Sequence, residues 1–399
     1  MTGGGPPGRV DGNRWTRQLA VATACAIVGV GVHLAGRAVP VQVATVALGV
    51  GLVGAAFMLA WAADAGESVF SGGLVLASVA LVTVLPEFII EVRFAYIQAT
   101  ELVTANLTGA TRLLLTGATV LPLVVALLAR RRGEAAPPIL LGENRRVELG
   151  VLLVAAVFAI QVTIRGGISV FDGIVLVGLY ALYARRVQGT PDEEPAVVGV
   201  AAGLVSLPER YRRSALAALL LGAGSVVLLI ANPFADALLA TGTSVGIDPY
   251  VLIQSVVPLA TEAPEFVVVA VLVVNRRPAQ GMAVFLASSV SQWTLGMGAL
   301  PLAYMAGGGG PTMPLAPRER LELGLTISVT LYLVAALATL RPERFEAYLF
   351  TAVFVVNLVH HAPVVRFASA FVLLVFAIDL LISRRRHLRP LFRAYFRGR

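Results

Sequence analysis

The chain has 399 residues, of which 57% are hydrophobic and only 14% are charged. Soluble domains carry about 25% charged residues, so the composition argues against a soluble enzyme or a soluble binding domain. The net charge is +8 and all 31 basic residues are arginine, but their placement beside apolar segments favours a membrane protein and gives no reason to expect a nucleic-acid partner.

Apolar segments long enough to cross a bilayer recur along the chain. A hydrocarbon core about 30 Å thick needs a helix of about 20 residues. The sequence therefore predicts an all-α integral membrane protein with about twelve transmembrane helices. These are expected near 18–36, 41–62, 70–96, 101–129, 147–163, 168–184, 213–231, 248–275, 279–306, 321–340, 346–360 and 364–383.

The arginines predict the orientation of these helices. With the amino terminus in the cytoplasm, 24 of the 31 arginines fall in cytoplasmic segments, and the opposite orientation would invert this bias. We expect a multi-pass protein of the cell (inner or plasma) membrane with both termini cytoplasmic. Membrane lipids are the predicted partners of the basic tail 384–399. Cys25 is the single cysteine, which excludes an intrachain disulfide.

Polar stretches divide the chain into two membrane halves, 14–186 and 213–383. The Gly/Pro-rich arm 1–13 is predicted to be disordered, and 187–212 is predicted to be a cytoplasmic linker. The oligomeric state stays open, a monomer included.

Each half carries a Pro-Glu pair in the middle of an apolar span, Pro86-Glu87 in the first and Pro264-Glu265 in the second. An ionised carboxylate at this depth costs about 2.5–3.5 kcal/mol on insertion scales. The predicted topology runs the two spans in opposite directions, so the segments of about 70–129 and 248–306 form inverted repeats. Such repeats are typical of alternating-access transporters.

Proline next to glutamate has a chemical consequence. Proline lacks an N–H, so a carbonyl one turn earlier loses its helical partner and can bind a ligand. Together with the glutamates and the hydroxyls of Thr83 and Thr261, these carbonyls match the mixed oxygen ligands of hard cations. Burial also disfavours an ionised carboxylate, so Glu87 and Glu265 can carry protons. The alternative is that each proline only kinks its helix and each glutamate pairs with an arginine. Recurrence of the motif in both halves favours the cation site.

The pattern Thr-x-x-Pro-Glu in both halves, followed by a second helix, resembles the alpha repeats of the cation/Ca²⁺ exchanger superfamily over roughly 41–360. The resemblance implies two inverted repeats of the sodium/calcium exchanger type, with one extra helix at each end. It implies a secondary active antiporter, not an enzyme, that exchanges Ca²⁺ or Na⁺ against H⁺ (or Na⁺) without a cofactor. The implied cation ligands are Glu87, Glu265, Thr83, Thr261, Ser288, Gln292 and Glu262.

The chain departs from the family motif at several ligand positions. Glu262 stands where the motif has serine, Ala110 replaces a ligand serine, and Leu114 replaces the final asparagine of the first repeat. These losses leave open an alternative, a non-transporting membrane sensor or scaffold derived from an exchanger. An intramembrane enzyme is disfavoured because no nucleophile–base pattern occurs.

Two further charges lie close to the motif. Arg112 falls within a span, where a buried arginine needs a partner, and Glu87 or Glu262 is expected to supply it. Arg112 would then be an internal counter-charge that takes the place of one transported cation. Glu91, one turn beyond Glu87, is either a ligand at the mouth of the site or a partner of Arg93 or of outer headgroups.

Overall fold

The computed structural model describes residues 12–69, 85–135, 138–187, 197–360 and 362–396, and every structural statement below concerns these ranges. Within them the chain is helical apart from two short strands, β1 (Gly167–Ser169) and β2 (Thr312–Pro314), which pair antiparallel with Ile168 opposite Met313. The helices are α1 (Gly12–Ala35), α2 (Val41–Val69), α3 (Leu85–Tyr96), α4 (Thr100–Arg131), α5 (Arg146–Arg165), α6 (Val170–Val187), α7 (Gly199–Val205), α8 (Glu209–Ser244), α9 (Pro249–Thr261), α10 (Ala263–Val274), α11 (Pro278–Ser291), α12 (Met297–Ala306), α13 (Pro317–Leu337), α14 (Arg344–Val359), α15 (Pro363–Ser383) and α16 (Arg385–Phe396). A π-helical turn, Gln292–Gly296, joins α11 to α12.

The prediction of an all-α membrane protein is confirmed, whereas the count of twelve spans is not. Within the described ranges, eight helical segments are long and apolar enough to cross a membrane, with α11 and α12 counted as one. The number is nine if the bent pair α9 and α10 also forms one span. The predicted spans 168–184 and 346–360 are helical, as α6 and α14, but they are shorter or more charged than the other spans. The predicted span 70–96 is described only from Leu85 onward.

The helices form two compact units, one of Met1–Pro86 with Asp192–Ala237 and one of Glu87–Pro191 with Leu238–Arg399. These boundaries interleave along the chain, so they differ from the predicted division into two sequential halves, which stays a prediction.

Part of the predicted linker is a structured element of the first unit. Of 187–212, residues 188–196 lie outside the described ranges, and α7 forms within the remainder. The side chains of Val200, Ala201 and Leu204 on α7 are buried against Ala65 and Leu216. The predicted disordered arm 1–13 lies almost wholly outside the described residues.

Small residues let α1 and α2 approach closely in the first unit. A Cβ atom on Gly54 would lie 2.5 Å from the carbonyl oxygen of Ala22, and one on Gly29 would lie 2.8 Å from the Cα of Gly51. Close contact through glycine is a common way of packing membrane helices, because the hydrophobic effect does not drive helices together in lipid.

Helix α4 is central to the second unit, where it packs against α9, α11, α13 and α14. The crossing with α9 is tight at Gly109, because a Cβ atom there would collide with the carbonyl oxygen of Gln254. This crossing brings the second helix of the first repeat against the first helix of the second repeat.

The basic tail forms the docked helix α16. Leu391 and Tyr395 are buried, and the guanidinium of Arg186 donates to the carbonyl oxygens of Tyr395 and Phe396 at 3.1 and 2.7 Å. The arginines of α16 itself are exposed, namely Arg385, Arg386, Arg389 and Arg393. The contact of this tail with lipids stays a prediction.

A buried ion cluster ties four helices of the second unit together. Glu322 on α13 pairs with Arg112 on α4 (Oε2 to Nη1, 2.7 Å) and with Arg366 on α15 (Oε1 to Nε, 3.2 Å). Gln254 on α9 donates to Glu322 at 3.1 Å and accepts from Arg366 at 3.3 Å. All four residues are less than 10% exposed, so the cluster is part of the core.

We predict that Gly54→Ala destabilises the protein by about 1–3 kcal/mol, since the added methyl overpacks α1 against α2. Gly31→Ala is the matched control on α1, because a Cβ atom there meets nothing within 4 Å. Thermal unfolding in detergent should show a lower Tm for Gly54→Ala and an unchanged or higher Tm for the control. Equal Tm values in the two variants would show that the α1–α2 contact is not tight.

Glu322→Gln should cost about 3–5 kcal/mol of stability, because it leaves two buried guanidiniums without a carboxylate. Glu209→Gln breaks an exposed pair with Arg213 (3.7 Å) and should cost at most about 1 kcal/mol. Thermal unfolding of the two variants compares these losses. A Glu322→Gln protein as stable as Glu209→Gln would contradict the structural importance of the cluster.

Candidate cation-binding site

The helix of the second repeat, expected as one span near 248–275, is broken just before Pro264. Helix α9 ends at Thr261, α10 begins at Ala263, and the two are bent by 51°. Pro264 has no N–H, so the carbonyl of Ala260 lacks its helical donor. Glu262 occupies the break, and its N–H still donates to the carbonyl of Pro258 at 2.9 Å. The carbonyl of Ala260, which the sequence predicts to be free, therefore lies next to the candidate ligands Thr261 and Glu262.

The first repeat presents its Pro-Glu pair in the same way. Helix α3 begins at Leu85, so Pro86 and Glu87 occupy its first turn, as Pro264 and Glu265 do in α10. The amino terminus of a helix carries a partial positive charge that favours nearby carboxylates. The predicted ligand Thr83 lies outside the described residues, as does the carbonyl that Pro86 was expected to free.

Two glutamates face each other at the centre of this region. The carboxyl group of Glu87 lies close to the side chains of Glu262 and Thr261 and interacts electrostatically with that of Glu262, and all three residues are at most 3% exposed. An ionised carboxylate only accepts hydrogen bonds, so two carboxyl groups can bond to each other only when one carries a proton. Such an arrangement can hold a shared proton or, once that proton leaves, a cation.

The second helix of the first repeat contributes an amide. Asn106 on α4 donates from Nδ2 to Oε1 of Glu91 at 3.2 Å. Glu91 is only 1% exposed and interacts electrostatically with Glu87. Its burial beside Glu87 favours the ligand alternative over contact with outer headgroups.

The second repeat contributes a matching amide from α11 and its π-helical turn. Gln292 donates from Nε2 to Oε1 of Glu262 at 3.3 Å and begins the π turn, a feature common at functional sites. A Cβ atom on Gly296 would lie 3.1 Å from Oε1 of Gln292 and 3.4 Å from Oε2 of Glu91. Glycine at this position lets polar groups of both repeats come together.

Two predicted ligands lie at the margin of this group. Glu265 is half-buried in the first turn of α10 and interacts electrostatically with Glu262. Ser288 is half-buried on α11, one turn before Gln292. The carboxyl group that interacts with Glu87 is that of Glu262, not that of the other Pro-Glu glutamate. Within the described ranges, no group of three or more His, Cys, Asp or Glu side chains has the arrangement of a metal site.

The expected pairing of Arg112 with Glu87 or Glu262 is wrong, because its partner is Glu322. Arg112 and Asn106 are six residues apart on α4, which rotates them by about 120° around the helix axis. Asn106 faces Glu91, and Arg112 points toward Glu322 on α13. Arg366 is also buried in the cluster.

Sequence reasoning missed Glu322 and Gln254. Their signal was available, since each is a polar residue inside an apolar span. The sequence could not assign their partners, because Arg112 and Glu322 are distant along the chain and meet only through helix packing.

Several proteins of known structure resemble this chain. The crystal structure of the H⁺/Ca²⁺ exchanger CAX is 30% identical, covers 97% of this chain and 99% of that chain, and has a TM-score of 0.89. Two further solved structures share the fold. The sodium-calcium exchanger NCX_Mj is 21% identical, covers 84% of this chain and 99% of that chain, and has a TM-score of 0.52. Native YfkE is 15% identical, covers 92% of this chain and 99% of that chain, and has a TM-score of 0.59.

No curated protein sequence matches the chain. The model of the family described as sodium/calcium exchanger protein matches residues 40–187 and 215–362, close to the range over which the sequence resembles the exchanger superfamily. The matched segments make up well over half of the chain, which therefore belongs to the sodium/calcium exchanger protein family.

Proposed function

We propose that this protein is a secondary active antiporter that exchanges a cation, Ca²⁺ in the first instance, for protons at the Glu87–Glu262 pair. The observation that carries the proposal is the burial of these two carboxyl groups against each other. Family membership supports a cation exchanger, and the similarity to the H⁺/Ca²⁺ exchanger CAX supports the proton as the coupling ion.

Competition between a proton and a cation supplies the coupling. A cation that enters between Glu87 and Glu262 needs both carboxylates ionised, so the shared proton must leave first. Two carboxylates balance one divalent cation, whereas Na⁺ would be balanced only if a proton were retained nearby. When the cation departs, the uncompensated carboxylates take up a proton again.

Neutral oxygens complete the proposed coordination. Ca²⁺ prefers six to eight oxygen ligands. The hydroxyl of Thr261, the amide oxygen of Gln292 and the carbonyl of Ala260 are candidates beside Glu262. We place Glu91, Glu265 and Ser288 farther out, as ligands that the cation meets on its way in or out. Thr83 is a further candidate from the sequence pattern alone.

Alternating access would come from movement at the broken helices. The break between α9 and α10 places Glu262 where the helix direction changes by 51°, and such discontinuous helices hold the substrate sites of many transporters. We place both termini in the cytoplasm, because this orientation puts most arginines on the inner side.

We predict that Glu87→Gln and Glu262→Gln each abolish proton-driven Ca²⁺ uptake, since an amide cannot release a proton to an incoming cation. The assay is uptake of radioactive Ca²⁺ into proteoliposomes under an imposed pH gradient, repeated under a Na⁺ gradient. Glu101→Gln, an exposed change at the start of α4, should retain the wild-type rate.

Full uptake by both glutamine variants would contradict the assignment of the site. Folded wild-type protein that moves neither Ca²⁺ nor Na⁺ under either gradient would instead support the sensor or scaffold alternative.

A further inference from the structure

A second polar site lies in the second unit, away from the Glu87–Glu262 pair. It is a cavity of about 280 Å³ bounded by residues of α4, α9, α13, α14 and α15. This volume is near the lower end for pockets that hold small ligands, about 300–1,000 Å³. Most of its wall is apolar, and includes Leu113, Pro258, Leu259, Leu325, Val329 and Phe354.

One end of the cavity carries a net positive charge. Arg112 and Arg366 line it, and both pair with the same carboxylate, Glu322. The nearby Arg318 has its own partner, Asp248, at 2.7 Å. Two guanidiniums on one carboxylate leave an excess of one positive charge. A buried excess charge is costly, so an anion beside the two arginines would be stabilised.

The polar end also has an unsatisfied acceptor. Asn357 lines the cavity, and its Nδ2 donates to Oγ of Ser369 at 2.7 Å. Its Oδ1 is buried and accepts no hydrogen bond from the described residues. A carboxylate has no proton to donate to this oxygen, so the two guanidiniums are the groups at this end that favour an anion.

The cavity opens on an apolar outer surface. Leu259, which lines it, is 59% exposed, and Val256 and Val355 nearby on α9 and α14 are 36% and 49% exposed. In a membrane-spanning helix, such side chains face lipid. A ligand that reaches this opening comes from the bilayer and must itself be largely apolar.

We propose that this cavity binds a single-chain anionic amphiphile from the membrane, such as a long-chain carboxylate. The anionic head would lie against Arg112 and Arg366, where charge-assisted hydrogen bonds are available. The chain would follow the apolar wall toward Leu259. Nothing in this site overlaps the proposed cation ligands.

The test is laurate binding to the purified full-length protein in a neutral maltoside detergent. Binding is measured by calorimetry and by the shift in Tm. We expect saturable binding that raises the Tm, whereas dodecanol at the same concentration gives no shift. Arg366→Gln keeps the Arg112–Glu322 pair but removes the excess charge, and should weaken laurate binding by about tenfold or more. Arg318→Gln, outside the cavity, should bind laurate as the wild type does.

Val353→Trp is a second variant, chosen because it fills the cavity without changing any charge; it should abolish binding even if Arg366→Gln fails to fold. Equal Tm shifts with laurate and dodecanol would overturn the proposal, as would unchanged laurate affinity in Val353→Trp. A Tm shift of the same size with inorganic phosphate alone would reduce the site to a small-anion site and would also overturn it.

Discussion

The close approach of the buried carboxyl groups of Glu87 and Glu262 is the constraint on which the rest of the site depends. Two buried carboxyl groups in contact cannot both be ionised without a cation between them. The break at Pro264 places Glu262 at a change of helix direction, and the start of α3 places Glu87 opposite it. The same arrangement that makes the pair costly without a counter-ion makes it suited to exchange a proton for a cation.

The two repeats contribute different chemistry to this pair. The first repeat supplies Glu87, Glu91 and Asn106, whereas the second supplies Thr261, Glu262 and Gln292. The duplication visible in the sequence therefore does not produce a symmetric site. Arg112 does not neutralise Glu87 or Glu262, because it forms its ion pair with Glu322. Arg112 therefore supplies no counter-charge to the pair.

Much of the site could be predicted from local sequence, because proline chemistry is local. The Pro-Glu motif predicts the family that the two matched segments confirm. Pro264 predicts a freed carbonyl, although the break between α9 and α10 falls within the single span 248–275 expected from the sequence. The partner of Arg112 could not be predicted, since it depends on the rotation of α4 and on packing against a helix far along the chain. The helical structure of α7 was also missed, because a polar composition around 187–212 concealed its short apolar face.

The most direct test of the central claim is proton release on cation binding. Wild-type protein and Glu262→Gln, in weakly buffered detergent solution with a pH indicator dye, are titrated with Ca²⁺ while bound Ca²⁺ is measured in parallel. If a cation displaces a proton shared by Glu87 and Glu262, the wild-type sample acidifies until Ca²⁺ binding saturates, and Glu262→Gln does not acidify. Stoichiometric Ca²⁺ binding by the wild type without any release of protons would contradict this exchange of a proton for a cation.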